Sequence, residues 1–405
     1  MKKNLLTLLI ILLAWNCGAQ DQPINIGHID SIYSEILQED REIWIHLPAS
    51  AKNSMFNDTY PVLYLLDGDA HFHSVTGLIQ QLSTVNGNTE IPEMIVVALP
   101  NTDRVRDMTP TNAESVETSG GSAGFLDFIE KELMPFIENN YPVANNKTFV
   151  GHSLGGLMVI DALLHRPDLF NNYIAIDPSL WWDDQFLLKK ADSILTKATF
   201  ENKSLYVGVA NTMNEDITYA TLMTDTTEDS RHMRSILKFI GLVEDLKLDD
   251  ANFNWKYYAD DTHGTVPLIT EHDALRFMYS WFECDCYKDV FSGESSFTGE
   301  ELTAKFDDHF AMVSKKMGFQ AHPSEYIIHG IANWFNWNDE TEKAFAFFHL
   351  NIRNFPESYH AYDAMGDYYL KQKDRLKAIE FFEKSLELGA GSETKAKLSE
   401  IEIEK

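Results

Sequence analysis

The sequence predicts an α/β fold, a mainly parallel sheet with helices on both faces, followed by a small all-helical domain. Up to about residue 290, short apolar runs alternate with segments whose apolar residues have helical spacing. That alternation is typical of parallel strands joined by crossover helices. Beyond residue 300 only helical patterns follow. The 405 residues, 44% of them hydrophobic, are enough for both parts.

Short runs rich in β-branched and aromatic residues mark the predicted strands. They are Glu42–Leu47, Val62–Leu66, Met94–Leu99, Lys147–Val150, Tyr173–Ile176, Leu205–Val209 and Phe253–Tyr258. The second and third are apolar almost throughout, as expected of strands that are buried on both faces. Helical spacing predicts helices over Phe125–Ile137, Leu157–Leu164, Ser230–Leu242 and Ala274–Phe282.

The first 19 residues are predicted to be an export signal. Lys2 and Lys3 precede an apolar run, and the small residues of Cys17-Gly18-Ala19 form a cleavage site before Gln20. The run is shorter than the roughly 20 residues that a bilayer span needs. We therefore expect a periplasmic or extracellular protein without a membrane span. Acylation of Cys17 is a less favoured alternative, because the residues before it are not small.

The net charge indicates which macromolecules the protein is not expected to bind, and the cysteines indicate whether a disulfide or a metal site is expected. The formal net charge of −29 disfavours nucleic acids and anionic membrane surfaces. Cys284 and Cys286 would be the cysteines of the mature chain, separated by one residue. That spacing leaves little slack for a disulfide, and two cysteines make a poor zinc site. We therefore expect a pair of free thiols, with no metal or cofactor.

The C-terminal region carries a repeat. A Ser- and Gly-rich stretch over 292–300 indicates a linker between a domain at 20–290 and a helical domain at 300–405. Ala344, Phe348 and Pro356 have counterparts 34 residues later, at Ala378, Phe382 and Ala390. This is the tetratricopeptide period. Since two copies are fewer than a stable array needs, we expect these helices to dock on the helix around 302–317, on the preceding domain or on a partner.

Gly151-His152-Ser153-Leu154-Gly155 is the strongest motif. A predicted strand precedes it and a predicted helix follows, the context of a nucleophilic serine held on a sharp strand-to-helix turn. Because side chains two residues either side of the serine would collide, glycines stand there. Ser153 is therefore the predicted nucleophile.

A serine hydroxyl needs a base, and in such folds the histidine follows the last strand. His263 occupies that place, whereas its competitor His272 lies inside the next helical pattern. His71 and His73 form an H-x-H pair without a convincing third metal ligand, so we expect them to form a polar lip near the site.

The acid is expected between Ser153 and His263, just after the strand Leu205–Val209. Glu215 is our choice, with Asp216, Asp225 or no acid at all as open alternatives. An acyl-transfer site also needs two backbone N–H groups directed at the oxyanion. We expect them from Leu154 and, after a tight turn at Gly68, from Asp69.

With these motifs the chain resembles the Putative esterase family of α/β-hydrolases, which includes siderophore, feruloyl and acetylxylan esterases and S-formylglutathione hydrolases. The resemblance covers most of residues 21–285 and rests on 36–48, 62–68, 101–110, 151–155, 177–182 and 263–264. The C-terminal helices resemble the tetratricopeptide-like tail of some bacterial members.

The resemblance implies an α/β-hydrolase fold and a secreted serine esterase that forms an acyl-enzyme. Siderophore lactones and polysaccharide acyl or feruloyl esters are the candidate substrates. The alternative function is a scaffold protein with a vestigial hydrolase domain, whose helical tail binds a protein partner. Trp181 and Trp182 either wall a substrate pocket or pack in the core. Arg104 and Arg106 either bind an anionic substrate or pair with Asp103 or Asp107 to hold their loop.

Overall fold

The computed structural model describes residues 24–52, 59–114, 116–197, 199–214, 217–246, 251–291 and 296–403. The predicted export signal with Cys17, and residues 292–295 of the predicted linker, lie outside these ranges. The described residues form an eight-stranded sheet of order β1-β2-β4-β3-β5-β6-β7-β8. Its strands are β1 His28–Ser34, β2 Glu39–His46, β3 Tyr60–Leu66, β4 Ile95–Leu99, β5 Val143–His152, β6 Asn172–Ile176, β7 Lys203–Ala210 and β8 Ala251–Tyr258.

The sheet is mainly parallel, as predicted. Strand β2 is antiparallel to both β1 and β4, and the remaining pairs are parallel. The carboxyl ends of β5, β6, β7 and β8 therefore lie along one edge of the sheet, the edge at which open α/β folds bind ligands.

Helices cover both faces of this sheet. Those of the first part of the chain are α1 Gly68–Ser83, α2 Arg104–Met108, α3 Ser122–Phe128, α4 Met134–Asn140, α5 Leu154–His165, α6 Trp182–Leu195, α7 Tyr219–Leu222, α8 Arg231–Asp245 and α9 Val266–Met278. A π-helical turn over 129–133 joins α3 to α4. The prediction of a helix over Ala274–Phe282 is wrong in its bounds, because α9 runs from Val266 to Met278. The first turn of α9 includes Pro267, and proline suits that position.

The second part of the described chain is helical. Its helices are α10 Cys286–Phe291, α11 Gly299–Met317, α12 Glu325–Trp337, α13 Thr341–Asn354, α14 Tyr359–Lys371, α15 Arg375–Glu387 and α16 Ser392–Ile403. Among the described residues, no helix is long and apolar enough to cross a membrane.

Two apolar cores flank the sheet, and one of them continues into the C-terminal helices. Along β3, Val62 and Tyr64 face one core while Leu63 and Leu65 face the other, because successive side chains point to opposite faces. The second core also contains Phe306 of α11 and further side chains of α12, α13 and α14. The helical region therefore packs directly onto the sheet domain.

The 34-residue period corresponds to a repeated helix pair. The pair α12 and α13 starts at Glu325 and Thr341, and the pair α14 and α15 starts 34 residues later in each case. In the later pair, Gly366 lies directly against Phe382. The small residue allows these helices to approach closely; assignment to the tetratricopeptide class stays a prediction.

Gly366→Ala is expected to destabilise the helical region by about 1–3 kcal/mol, because an added Cβ would lie 2.5 Å from the Phe382 ring. Gly330→Ala is the matched control. That helical glycine is exposed, with open space around the Cβ position, so alanine should stabilise by about 0.5–1 kcal/mol. Chemical unfolding followed by circular dichroism measures both, and equal effects would contradict the packing argument.

The expectation of free thiols at Cys284 and Cys286 is wrong, since the structure joins them in a disulfide. The turn that leads into α10 brings their Cα atoms to 5.1 Å, which lies within the range that a disulfide bridges. Both side chains are buried.

Glu271 is a fully buried carboxyl group on α9, and neither of its oxygens has a hydrogen-bond partner among the described residues. Burial raises its pKa to about 8. The native state therefore holds a proton that the unfolded chain releases above the usual carboxyl pKa. Protonated Glu271 contributes to stability at pH values below the pKa that it has in the unfolded chain. That contribution is lost as the pH rises through about 8, the pKa of Glu271 in the folded protein.

Glu271→Met should consequently increase the free energy of unfolding more at pH 9 than at pH 5, because methionine has no charge to bury. Urea titrations of parent and variant at both pH values measure this. An equal gain at the two pH values would show that ionisation of Glu271 does not limit stability.

Candidate active site

Ser153 stands on a sharp turn between β5 and α5. Its backbone has φ 60° and ψ −114°, a conformation that is strained for any residue with a side chain. A Cβ on Gly151 would collide with the backbone of Gly155 at 2.4 Å, which explains the glycine at 151. A Cβ on Gly155 would lie 3.3 Å from Oδ2 of Asp67, a tight approach rather than a collision. The Ser153 N–H donates to the carbonyl oxygen of Ile176 at 2.9 Å, so the turn is bound to the end of β6. The Ser153 hydroxyl lies 3.2 Å from that of Ser179.

His263 lies on the loop between β8 and α9, as predicted. Its Nδ1 is 2.6 Å from Oδ2 of Asp177. With Nδ1 donating its proton to the carboxylate, Nε2 keeps the lone pair that a general base needs. The ring of His263 packs 4.4 Å from that of His152, the residue before Ser153. The histidine predicted as the base therefore lies beside the serine turn, and 41% of its side chain is exposed.

Asp177 follows β6 and is fully buried. Its Oδ1 accepts the N–H of Ala210 at 3.0 Å, and its Oδ2 lies 2.9 Å from Nε2 of His232 as well as near His263. Burial alone would raise the pKa of Asp177, but hydrogen bonds from His232 and His263 hold it well below its usual range. The carboxyl group is therefore ionised and carries the hydrogen bonds that orient His263.

The predicted acid, Glu215, and its neighbour Asp216 lie outside the described residues. The alternative Asp225 is described, and its carboxylate accepts hydrogen bonds from Thr227 and Ser230 of its own loop. Asp177 was not among the predicted acids, because the acid was expected after β7 whereas Asp177 follows β6. The available signal was an aspartate directly after the buried strand Tyr173–Ile176.

The two predicted oxyanion donors lie in the first turns of two helices. Leu154 is the first residue of α5 and Asp69 the second of α1, so neither N–H has an acceptor within its own helix. Both helices direct the positive end of their dipole at this edge of the sheet. The role expected of Gly68 is wrong, because Asp67 (φ 52°) makes the left-handed turn. Gly68 instead allows contact with Ala98, 2.9 Å from its Cβ position.

Arg104 connects these two turns. Its guanidinium binds both carboxylate oxygens of Asp67, at 2.6 and 2.9 Å, and donates to the carbonyl oxygen of His152 at 3.0 Å. The pairing expected between Arg104 and its sequence neighbours is therefore wrong. For Arg106 it is confirmed, since Arg106 pairs with Asp107 at 2.7 Å.

Other predicted residues surround the serine turn. The His71 ring lies 6.0 Å from that of His152, which places it at this edge. Burial, followed by the nearby rings of His263 and His71, lowers the pKa of His152 to about 4, so His152 is neutral at neutral pH. Trp182 is buried and donates to Thr111 at 3.1 Å, whereas Trp181 is half-buried at the edge of the core.

In the described part of the chain, one cluster of side chains could also hold a metal ion. It consists of Asp177, His232 and His263, whose possible ligand atoms lie within 4.8 Å of one another. The two ring nitrogens, however, are at hydrogen-bond distance from the same carboxylate oxygen. A metal ion would have to separate all three atoms, whereas two N–H donors fit the arrangement as it stands.

Two solved structures share the architecture of this chain, and one of them is described as a serine hydrolase. A serine hydrolase from Shewanella oneidensis, described as IroE-like, is 29% identical, with a TM-score of 0.67 over 81% of this chain and 99% of its own. An uncharacterised protein from Capnocytophaga ochracea matches 93% of this chain and 99% of its own, with a TM-score of 0.58. At 15% identity it shows the fold alone.

Two curated relatives are siderophore esterases by name. The ferri-bacillibactin esterase BesA of Bacillus subtilis is 33% identical over 169 residues, which are 37% of this chain and 58% of BesA. The siderophore triacetylfusarinine C esterase of Aspergillus fumigatus is 29% identical over 154 residues, 36% of this chain and 53% of that protein. The chain thus spans little more than half the length of these relatives.

The family described as "Putative esterase" matches residues 34–267, more than half of the chain. That segment runs from the end of β1 into α9 and contains Ser153, Asp177 and His263. The protein is a member of this esterase family.

Proposed function

We propose that the protein is an exported serine hydrolase that cleaves carboxylic esters through an acyl-enzyme at Ser153. The observation that carries the proposal is the 2.6 Å contact between His263 and the buried, ionised Asp177, beside a serine on a strained turn. Export depends on the signal predicted at residues 1–19.

In this mechanism, Nε2 of His263 takes the Ser153 proton as the hydroxyl attacks the ester carbonyl carbon. The N–H groups of Leu154 and Asp69 stabilise the negative oxygen that forms. The imidazolium, stabilised by Asp177, then gives its proton to the leaving alcohol. Water, activated by the same histidine, hydrolyses the acyl-enzyme and restores the serine.

The substrate class that we propose is a siderophore ester or lactone. The names of the relatives from Bacillus subtilis and Aspergillus fumigatus support it. Acyl and feruloyl esters of polysaccharides are the competing class. The scaffold alternative is less well supported, because a vestigial domain has no need of a strained turn or of a buried aspartate aligned with a histidine.

Product analysis with three substrates tests the proposal: a catecholate siderophore trilactone, a feruloylated oligosaccharide and a short-chain nitrophenyl ester. We expect hydrolysis of the nitrophenyl ester and a higher kcat/KM for the trilactone than for the feruloyl ester. A preference for the feruloyl ester would overturn the substrate class but leave the chemistry. Failure to hydrolyse any of the three would overturn the enzyme function itself.

A further inference from the structure

We propose that His232 is a positioning residue, a second histidine that fixes the Asp177 carboxylate and confines the ring of His263. The proposal rests on the ester-hydrolase function above and assigns a role to a side chain that the mechanism itself does not use.

The first observation is the hydrogen bonding of Asp177. Oδ2 accepts hydrogen bonds from Nδ1 of His263 at 2.6 Å and from Nε2 of His232 at 2.9 Å. Oδ1 accepts one from the Ala210 N–H at 3.0 Å. With donors from three separate elements, the carboxylate has a single favourable orientation. Without His232, a fully buried charge would lose one donor and could rotate about its Cβ–Cγ bond.

The second observation concerns the ring of His263. His232 lies edge-to-face against it, with a centroid distance of 5.3 Å and an interplanar angle of 88°. His152 packs on it at 4.4 Å and 41°. The His263 side chain is 41% exposed, and among the described residues the rings recorded against it are those of His232 and His152. His232 and His152 therefore restrict the ring rotations that would move Nε2 away from the serine turn.

The third observation is that the helix and the loop that carry His232 are themselves held in place. It lies in the first turn of α8, whose buried face includes Met233, Ile236 and Phe239. The loop before α8 is held by Asp225, whose Oδ1 accepts from the Thr227 N–H at 2.8 Å and the Ser230 hydroxyl at 2.6 Å. Asp225, weighed as the acid from sequence alone, would thus act at a distance by ordering the loop that presents His232.

Positioning affects the chemical step more than substrate binding. Loss of the His232 donor should therefore lower kcat and leave KM nearly unchanged. A displacement of the base by about 1 Å is sufficient for a loss of the order of 10²-fold.

The test compares His232→Gln, which keeps an N–H donor near the position of Nε2, with His232→Leu, which fills similar space without one. The matched control is His165→Leu. Nδ1 of His165 binds the mostly buried Asp161 at 2.8 Å, at the opposite end of α5 from Ser153. The readouts are kcat and KM for a nitrophenyl ester and the downfield ¹H NMR signal of the proton between His263 and Asp177. The melting temperature reports on folding.

We expect His232→Gln to remain within about 5-fold of the parent kcat, and His232→Leu to lose about 10- to 100-fold with the NMR signal shifted or broadened. His165→Leu should leave both readouts unchanged. Parent-like kcat in folded His232→Leu would overturn the proposal, as would equal losses in the Gln and Leu variants. An inactive parent would instead overturn the ester-hydrolase function, and its NMR signal would still report whether His232 orders the Asp177–His263 pair.

Discussion

Ser153→Ala is expected to lower kcat/KM for a nitrophenyl ester by about 10³-fold or more, with the fold intact. The hydroxyl is the group that forms the acyl-enzyme, and the methyl group of alanine cannot replace it. The alanine fits the same turn, so the melting temperature should change little. Steady-state rates over a substrate series, with circular dichroism as the folding check, measure the effect.

Ser179→Ala is the matched control for Ser153, because the two hydroxyl groups are 3.2 Å apart. A neighbour that only hydrogen-bonds to the nucleophile should lose no more than about 10-fold in rate. A larger loss of rate in Ser179→Ala than in Ser153→Ala would show that Ser179, and not Ser153, is the nucleophile.

Asp177→Asn should lower kcat by about 10³- to 10⁴-fold. An amide cannot supply the charge that stabilises the His263 imidazolium, and its NH₂ group favours the histidine tautomer with Nε2 protonated. Glu215→Gln is the comparison, since Glu215 is the acid predicted from sequence alone. We expect it to keep kcat close to that of the parent.

The same pair of variants decides between the two acids. If Glu215→Gln loses activity and Asp177→Asn retains it, Glu215 is the functional partner of His263 and Asp177 has a structural role only. If neither loses activity, the enzyme works as a serine–histidine dyad.

Much of the fold was predictable because a strand that is buried on both faces has a continuous run of apolar residues in its sequence. Strands β3 and β4 are apolar over nearly their whole length, and the sequence predicted both to within two residues. Strand β1, His28–Ser34, was missed because it lies at the edge of the sheet with exposed residues along much of its length. A half-polar edge strand has no apolar run to detect.

The serine turn and the histidine loop were predictable because their signals are short and local. The partner of His263 was not, because it depends on which strand ends converge. Strands β6, β7 and β8 are successive neighbours, and the loop after β8 folds back to the end of β6. Only the three-dimensional arrangement distinguishes Asp177 from the acidic residues after β7.

Labelling with an alkyl fluorophosphonate tests the central claim most directly. An activated serine attacks phosphorus and expels fluoride, which leaves a stable adduct whose mass and position can be read by peptide mass spectrometry. We predict one adduct per chain, on Ser153, with loss of esterase activity in proportion to labelling, and no adduct in Ser153→Ala. Full esterase activity after exhaustive treatment, or an adduct on another residue that accounts for the loss of activity, would contradict the account.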